Sequence, residues 1–144
     1  MGAVGIRALL DTSVLIGGDP LAPGVQSAIS AVSIAELHFG LLVARDDDTR
    51  ALRVARLGLI EARYPEPLPI DDRVAREWGR LQAAVRSRGG EPRRRSADLA
   101  IAATANVHEA VLLTRNRKDF TIIEDLVRVE APDNAAGHDQ TSNL

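Results

Sequence analysis

Short apolar runs alternate with longer amphipathic segments along this chain, and that alternation limits the fold more than any other feature. Residues 3–10 read as a buried strand, and residues 27–32, 110–113 and 127–129 as further strands. Between them lie helical patterns. Residues 12–16 form a short turn or helix start, broken by Gly17-Gly18-Asp19-Pro20. Residues 33–44 open on Ser33 as an N-cap with Glu36 three positions on, and Leu37, Leu41 and Leu42 recur at helical spacing. Residues 48–63 carry Leu52, Leu59 and Ile60 as an apolar stripe among Arg50, Arg53, Arg56 and Arg63. Pro65, Pro67 and Pro69 mark an extended connection. Residues 71–88 place Val74, Trp78, Leu81 and Val85 on one face and end at Gly89-Gly90-Glu91-Pro92. Residues 96–107 are mostly small and suit close packing on a sheet. Strand and helix in turn is the pattern of an α/β fold with a parallel sheet. Trp78, Phe39 and Phe120 are expected in its core.

The chain has 144 residues, enough for one domain with a real core. Apolar residues make up 45% and aromatics only 3%, so Ala, Leu, Val and Ile must build that core. There is no Cys, which removes disulfides, thiolate metal sites and cysteine catalysis. His38, His108 and His138 lack any zinc-binding spacing. A net charge of −2 argues against coating nucleic acid by bulk charge, but not against a local basic patch. No apolar run approaches the roughly 20 residues that span a bilayer. No export signal opens the chain, so a cytoplasmic protein is expected. From Pro132 onward the sequence is polar and small, and the 132–144 tail is expected to be disordered beside a 1–131 domain.

Four acids stand where these elements begin or end. Asp11 closes the first strand, Asp119 follows the 110–113 strand by a short loop, and Glu36 and Asp98 sit in first turns of helices. In an open parallel sheet the functional crevice lies beyond the carboxyl ends of the strands. Each acid has an ordinary explanation by itself: an N-cap for Asp11, a capping box for Glu36, a macrodipole partner for Asp98, a turn cap for Asp119. All four on one edge would repel one another unless a cation sat among them. Oxygen-only ligation is what Mg²⁺ or Mn²⁺ prefers, so the acids point to metal-dependent phosphodiester chemistry. Thr12, Ser13, Ser96, Thr114 and Asn116 flank them and can orient carboxylates or metal-bound waters; turn and cap chemistry is the alternative, foremost for Ser13 and Ser96. Arg93-Arg94-Arg95 precedes Asp98, and Arg115, Arg117 and Lys118 precede Asp119. Basic clusters beside an acidic centre suit a gripped phosphate backbone, the alternative being solvated loop charge.

Four segments together resemble the motifs of PIN-domain nucleases. They are Leu-Leu-Asp11-Thr-Ser-Val-Leu-Ile, Ser-Ile-Ala-Glu36-Leu-His-Phe-Gly, Asp98-Leu-Ala-Ile-Ala-Ala-Thr-Ala and Leu-Leu-Thr-Arg-Asn-Arg-Lys-Asp119-Phe. Size and motif order are similar to the VapC-like ribonucleases of VapBC toxin–antitoxin pairs, over residues 7–130. The resemblance implies a three-layer α/β/α fold with a mostly parallel sheet. It implies Mg²⁺- or Mn²⁺-dependent endonucleolytic cleavage of RNA, leaving 5′-phosphate and 3′-hydroxyl ends. A VapB-like antitoxin and a homodimer are implied as partners. By motif, Asp11 and Asp98 are the principal metal ligands and Glu36 a third acid. Either Asp119 or Asn116 takes the fourth place, Asp119 being favoured. Arg93, Arg94, Arg95 and Arg115 are the expected RNA contacts. Leucines of the second and third helices in excess of one core would receive an amphipathic antitoxin helix.

Two other readings compete. A phosphoacceptor or phosphatase domain also places Asp after the first strand, but here Thr-Ser-Val follows Asp11, with neither a paired acid nor a suitably placed Lys. A catalytically inactive PIN-like module binding RNA or protein would keep the fold without the cutting. A Walker loop and a Gly-x-Gly-x-x-Gly are both absent.

Overall fold

Two hydrophobic clusters cover opposite faces of one sheet, and strand periodicity accounts for both. The computed structural model describes residues 5–133. Their order is β1 (Arg7–Leu10), α1 (Thr12–Gly17), β2 (Gln26–Ala28), α2 (Ala31–Leu42), α3 (Asp47–Arg63), α4 (Asp72–Ser87), a 3₁₀ turn (Pro92–Arg95) running into α5 (Ser96–Val107), β3 (Val111–Leu113), a 3₁₀ segment (Arg117–Ile123) and β4 (Val129–Glu130). The strands lie in the order β2-β1-β3-β4, and every neighbouring pair is parallel. Side chains alternate across a strand. Leu9 and Leu112 therefore face α4, α5 and the second 3₁₀ segment, joining Val74, Leu81, Val85, Leu99, Ile101 and Phe120. Ala8, Leu10, Val111 and Leu113 face the other way, onto Val14 and Leu15 of α1, Leu37 of α2, and Leu57 and Ile60 of α3. The result is the three-layer α/β/α arrangement.

Connectivity places the site. β1 leads outward to β2, whereas β3 pairs with the other side of β1, so the order reverses between β1 and β3. Ligands of open parallel sheets sit at that reversal, beyond the strand carboxyl ends. Asp11 and Thr114 are the first residues past those two ends, and Asp11 N–H still donates to Leu113 C=O at 2.9 Å. α5 is buried from Leu99 through Ala105, and its alanines let it lie close to α4 and the sheet. That seats the first turn of α5, with Asp98, beside the same edge.

Several local expectations shift. The second strand stops at Ala28, and the helix begins at Ala31, its N-cap three residues before Ser33. Ser30 is its N-cap, accepting from Val32 N–H at 3.0 Å, so Ser33 and Glu36 are not a capping box. The third helix buries Leu57 and Ile60, while Leu52 and Leu59 are exposed. Phe39 also lies outside the core, 68% exposed, unlike Phe120 at 1%. The fourth strand begins at Val129, with Val127 buried just before it. Leu68 of the proline-rich connection adds one parallel bridge to Ser30. Pro67 and Pro69 on either side lack an N–H and end the pairing there. Residues 134–144 of the expected disordered tail, with His138, and the first residues of the expected first strand lie outside the described residues; Pro132 is buried and Asp133 exposed. No described helix is long and apolar enough to cross a membrane.

The two-cluster core makes a contrast that stability measurements resolve. Leu112→Ala should lower the free energy of unfolding by about 2–5 kcal/mol, because a fully buried leucine leaves a cavity. Leu59→Ala, at a position 74% exposed, should change it by less than about 0.5 kcal/mol. Urea denaturation of both variants checks this; equal effects would contradict the layer assignment.

Candidate active site

Asp11 is 5% exposed and anchors the site. Its backbone occupies the N-cap position of α1, yet its carboxylate makes no capping hydrogen bond. Asp11 Oδ2 instead accepts from Ser13 Oγ at 2.9 Å and from Thr114 Oγ1 at 2.7 Å. Each hydroxyl in turn accepts a backbone N–H, Ser13 Oγ from Arg115 at 3.1 Å and Thr114 Oγ1 from Asn116 at 3.0 Å. An N–H that donates to a hydroxyl polarises the hydroxyl's own donation, so the four bonds support one another. Asp11 Oδ1 accepts no hydrogen bond from the described residues and is not sealed from solvent.

Glu36 is oriented the same way from the next element. Thr12 Oγ1 donates to Glu36 Oε1 at 2.7 Å and lies 3.0 Å from Ser33 Oγ. Ser33 is fully buried, and with Glu36 it occupies one face of α2, three residues apart. Sequence reasoning took Ser33 for a cap and missed this contact; the i,i+3 spacing within α2 was its only trace.

Asp98, in the first turn of α5, is the electrically strained member. Burial, and then the charges of Asp11, Glu36 and Asp119, push its carboxyl from the ordinary 3.8 up to about 6, with Arg95 pulling weakly the other way. An anion present only to complement a helix dipole would be held low instead. Asp119 opens the second 3₁₀ segment. Arg95 Nη1 lies 3.0 Å from Asp119 Oδ1 and donates to Asp119 C=O at 2.7 Å. The four acids are thus close enough for Asp98 to feel the other three. Among the described residues, no three or more His, Cys, Asp or Glu side chains are drawn into a ready coordination shell. Asn116 is exposed at the rim; its C=O accepts from Asp119 N–H at 3.0 Å.

The basic residues divide. Arg94 pairs with Glu91 at 2.8 Å, Arg95 with Asp119, and Arg115 with Asp19 at 2.6 Å. Arg93, Arg117 and Lys118 are exposed and have no ion pair among the described residues. His38 faces Glu61 at 3.4 Å on the α2–α3 surface, and His108 caps the far end of α5, so neither histidine serves the acidic edge.

A family description reading "PIN domain" matches residues 8–126. The chain belongs to the PIN domain family. Among curated proteins this PIN domain is similar to Ribonuclease VapC5 of Mycobacterium tuberculosis (strain ATCC 25618 / H37Rv), 34% identical over 137 residues, covering 90% of this chain and 97% of the relative. It is 38% identical over 110 residues to Ribonuclease VapC8 of the same strain, covering 74% and 96%. Among solved structures it is similar to a chain in the crystal structure of VapBC-5, a member of the VapBC family of toxin–antitoxin systems from Mycobacterium tuberculosis. There the TM-score is 0.73 at 36% identity, covering 87% of this chain and 96% of that one.

The raised Asp98 has a stability consequence in chelator-treated protein. Between about pH 4 and pH 6 the folded chain keeps a proton that the unfolded chain has released, so stability falls as pH rises through that window. About one unit above pH 6 the cost of the charged carboxylate is nearly complete. Carboxyl-carbon NMR should find the Asp98 midpoint near 6. Asp98→Asn should melt higher than the parent at pH 7, with the advantage shrinking toward pH 4. A midpoint at the ordinary carboxylate value, or no gain at pH 7, would contradict the electrostatic picture.

Proposed function

We propose that this PIN domain is a divalent-metal-dependent endoribonuclease and the toxin of a type II toxin–antitoxin pair, acting in the cytoplasm. One observation carries the reading: a carboxyl raised to about 6 by burial and then by three further acids at the switch point of a parallel sheet, with no Lys or His among them. Relatives that carry the name ribonuclease support RNA as the substrate class. The donor set fits Mg²⁺ or Mn²⁺, because all four side chains offer oxygen and a dication would relieve the repulsion that lifts Asp98. Asp11 and Asp98 would hold the ion, with Glu36 and Asp119 as further ligands and Asn116 as the alternative fourth. Bound there, it would supply Lewis-acid polarisation of the phosphodiester and a lowered pKa for an attacking water.

The chain's own residues have defined tasks. Ser13 and Thr114 fix the Asp11 carboxylate through Oδ2 and leave Oδ1 available. Thr12 fixes Glu36, and Arg95 holds Asp119 by its main chain and side chain together. RNA approaches across cations that are not already paired. Of the four arginines expected to contact RNA, Arg93 meets that condition, and Arg117 and Lys118 join it. Lys118 lines two clefts flanking the second 3₁₀ segment, of about 320 and 400 Å³, one with Arg95 and Asp119 and the other with Arg117 and Thr121. A phosphate backbone drawn along that segment passes directly beside Asp119.

The antitoxin reading rests on exposed apolar side chains of the α2–α3 hairpin. Phe39, Leu42, Val43, Leu52, Val54 and Leu59 are all at least 52% exposed. An amphipathic helix of a VapB-like antitoxin would bury them. The solved VapBC-5 structure supports such a partner. A homodimer is part of the same reading.

Purified protein should cut RNA into discrete fragments with Mg²⁺ or Mn²⁺ present, and chelation should stop it. Asp98→Asn should fold normally and cut no more than a control without enzyme, with 5′ ends mapped in both. Full activity in folded Asp98→Asn would sink the assignment; metal-independent RNA binding with no cutting would favour the inactive module. In the Asp98→Asn background, Arg117→Ala and Lys118→Ala should each weaken RNA binding and reduce its salt slope by about one. Unchanged slopes would move the RNA path elsewhere.

A further inference from the structure

Asp19 has no part in the chemistry above, yet it makes a specific long-range contact. It lies in the loop after α1, and Arg115 stands 96 residues further along. Arg115 Nε donates to Asp19 Oδ2 at 2.6 Å, and Arg115 Nη2 donates to Asp19 Oδ1 at 2.7 Å. Two parallel bonds from a planar guanidinium to both carboxylate oxygens fix direction as well as distance. The Asp19 side chain is only 20% exposed within the pair.

Two neighbours show that the contact is built into the fold. Gly17 clears the space: a Cβ there would stand 2.3 Å from Arg115 Cζ. The backbone of Arg115 is tied separately, its N–H donating to Ser13 Oγ, which donates to Asp11 Oδ2. The 114–119 loop is therefore fastened to Asp11 through Thr114, to Ser13 and Asp19 through Arg115, and to Arg95 through Asp119. Everything between those fastenings carries the fourth ligand of the site, whether Asn116 or Asp119. A lone surface ion pair contributes little to global stability. A two-point pair that closes this loop acts on local geometry instead.

We propose that Asp19 is a positioning residue of the nucleolytic centre: by gripping Arg115 across the gap that Gly17 leaves open, it sets the 114–119 loop against Asp11. Arg115 is then a latch and not an RNA contact, because a phosphate reaches its guanidinium only by displacing Asp19. This rests on the nuclease reading above.

The test uses the full chain with Asp19→Asn, Arg115→Gln and the double variant. It measures single-turnover RNA cleavage at saturating Mn²⁺, Mn²⁺ half-saturation by calorimetry, and the salt slope of RNA binding in the Asp98→Asn background. Each single variant should slow cleavage or weaken Mn²⁺ binding by about ten- to hundred-fold, the range seen when supporting contacts of a metal site are lost. The double variant should lose no more than either single one. Salt slopes should stay at the parent value. Gly17→Ala, which displaces Arg115 without touching either charge, should reproduce the loss if Asp19→Asn fails to fold. Parent-like cleavage and Mn²⁺ binding in Asp19→Asn would overturn the proposal. So would a salt slope reduced by about one in Arg115→Gln with tighter RNA binding in Asp19→Asn, which is the signature of a phosphate contact. If the parent binds Mn²⁺ but cuts no RNA, the nuclease reading fails while the Mn²⁺ shift still decides for or against the latch. If it binds no Mn²⁺, both fall.

Discussion

Four carboxylates share one edge of a parallel sheet, and their mutual repulsion is the constraint around which the rest is arranged. Asp98 shows it directly, since its proton is held up to about 6 by burial and by the three acids facing it. Such a cluster is easier to keep when other bonds hold its members in place. Here those bonds come from hydroxyls and one arginine. Thr12, Ser13 and Thr114 hold Glu36 and Asp11, and Arg95 holds Asp119. Among the four, Asp98 alone has neither a side-chain hydrogen bond nor an ion pair among the described residues, and it is the acid whose proton affinity rises.

The scaffold makes this affordable through its two apolar faces. Leu9 and Leu112 on one side, and Leu10 and Leu113 on the other, are each within two residues of Asp11 or Thr114 at that edge. Rigid strands buried on both faces end in short connections, so the positions just past them are well determined. Small residues along α5 bring its first turn to the same place. The α2–α3 hairpin is different. It buries Leu37, Leu57 and Ile60 against the sheet layer and leaves a row of large apolar side chains in solvent. Such a surface is what the proposed antitoxin helix would cover.

Much of the architecture was legible because it follows from short-range rules. The strand runs ending at Asp11 and before Thr114, the amphipathic α4 with Val74, Leu81 and Val85, and the small-residue α5 at 96–107 all stand as their patterns implied. Where the reading slipped, a local rule had two solutions. The pattern makes Ser33 the cap after a strand at 27–32, whereas the strand stops at Ala28 and Ser30, bridged to Leu68, caps the helix. In α3 Leu52 and Leu59 lie on one side of the helix, about 20° apart, and Leu57 lies about 140–160° away from them, so two faces carry leucine and packing against the sheet selects Leu57. Phe39 looked like core by composition, but α2 turns it outward.

The sequence by itself determined the alternation of strand and helix, the ends of β1 and β3, and hence that Asp11 and the 114–119 loop stand near one edge, because hydrophobic period and turn chemistry act within a few residues. Only the tertiary structure decided which charges meet. That Arg95 turns to Asp119, that Arg115 is held by Asp19 across 96 residues, and that Ser33 faces Thr12 depend on contacts between elements far apart in the chain. Side-chain pairing at that separation leaves no periodic trace, so an arginine beside an acidic motif reads the same whether it grips a phosphate or a neighbouring carboxylate.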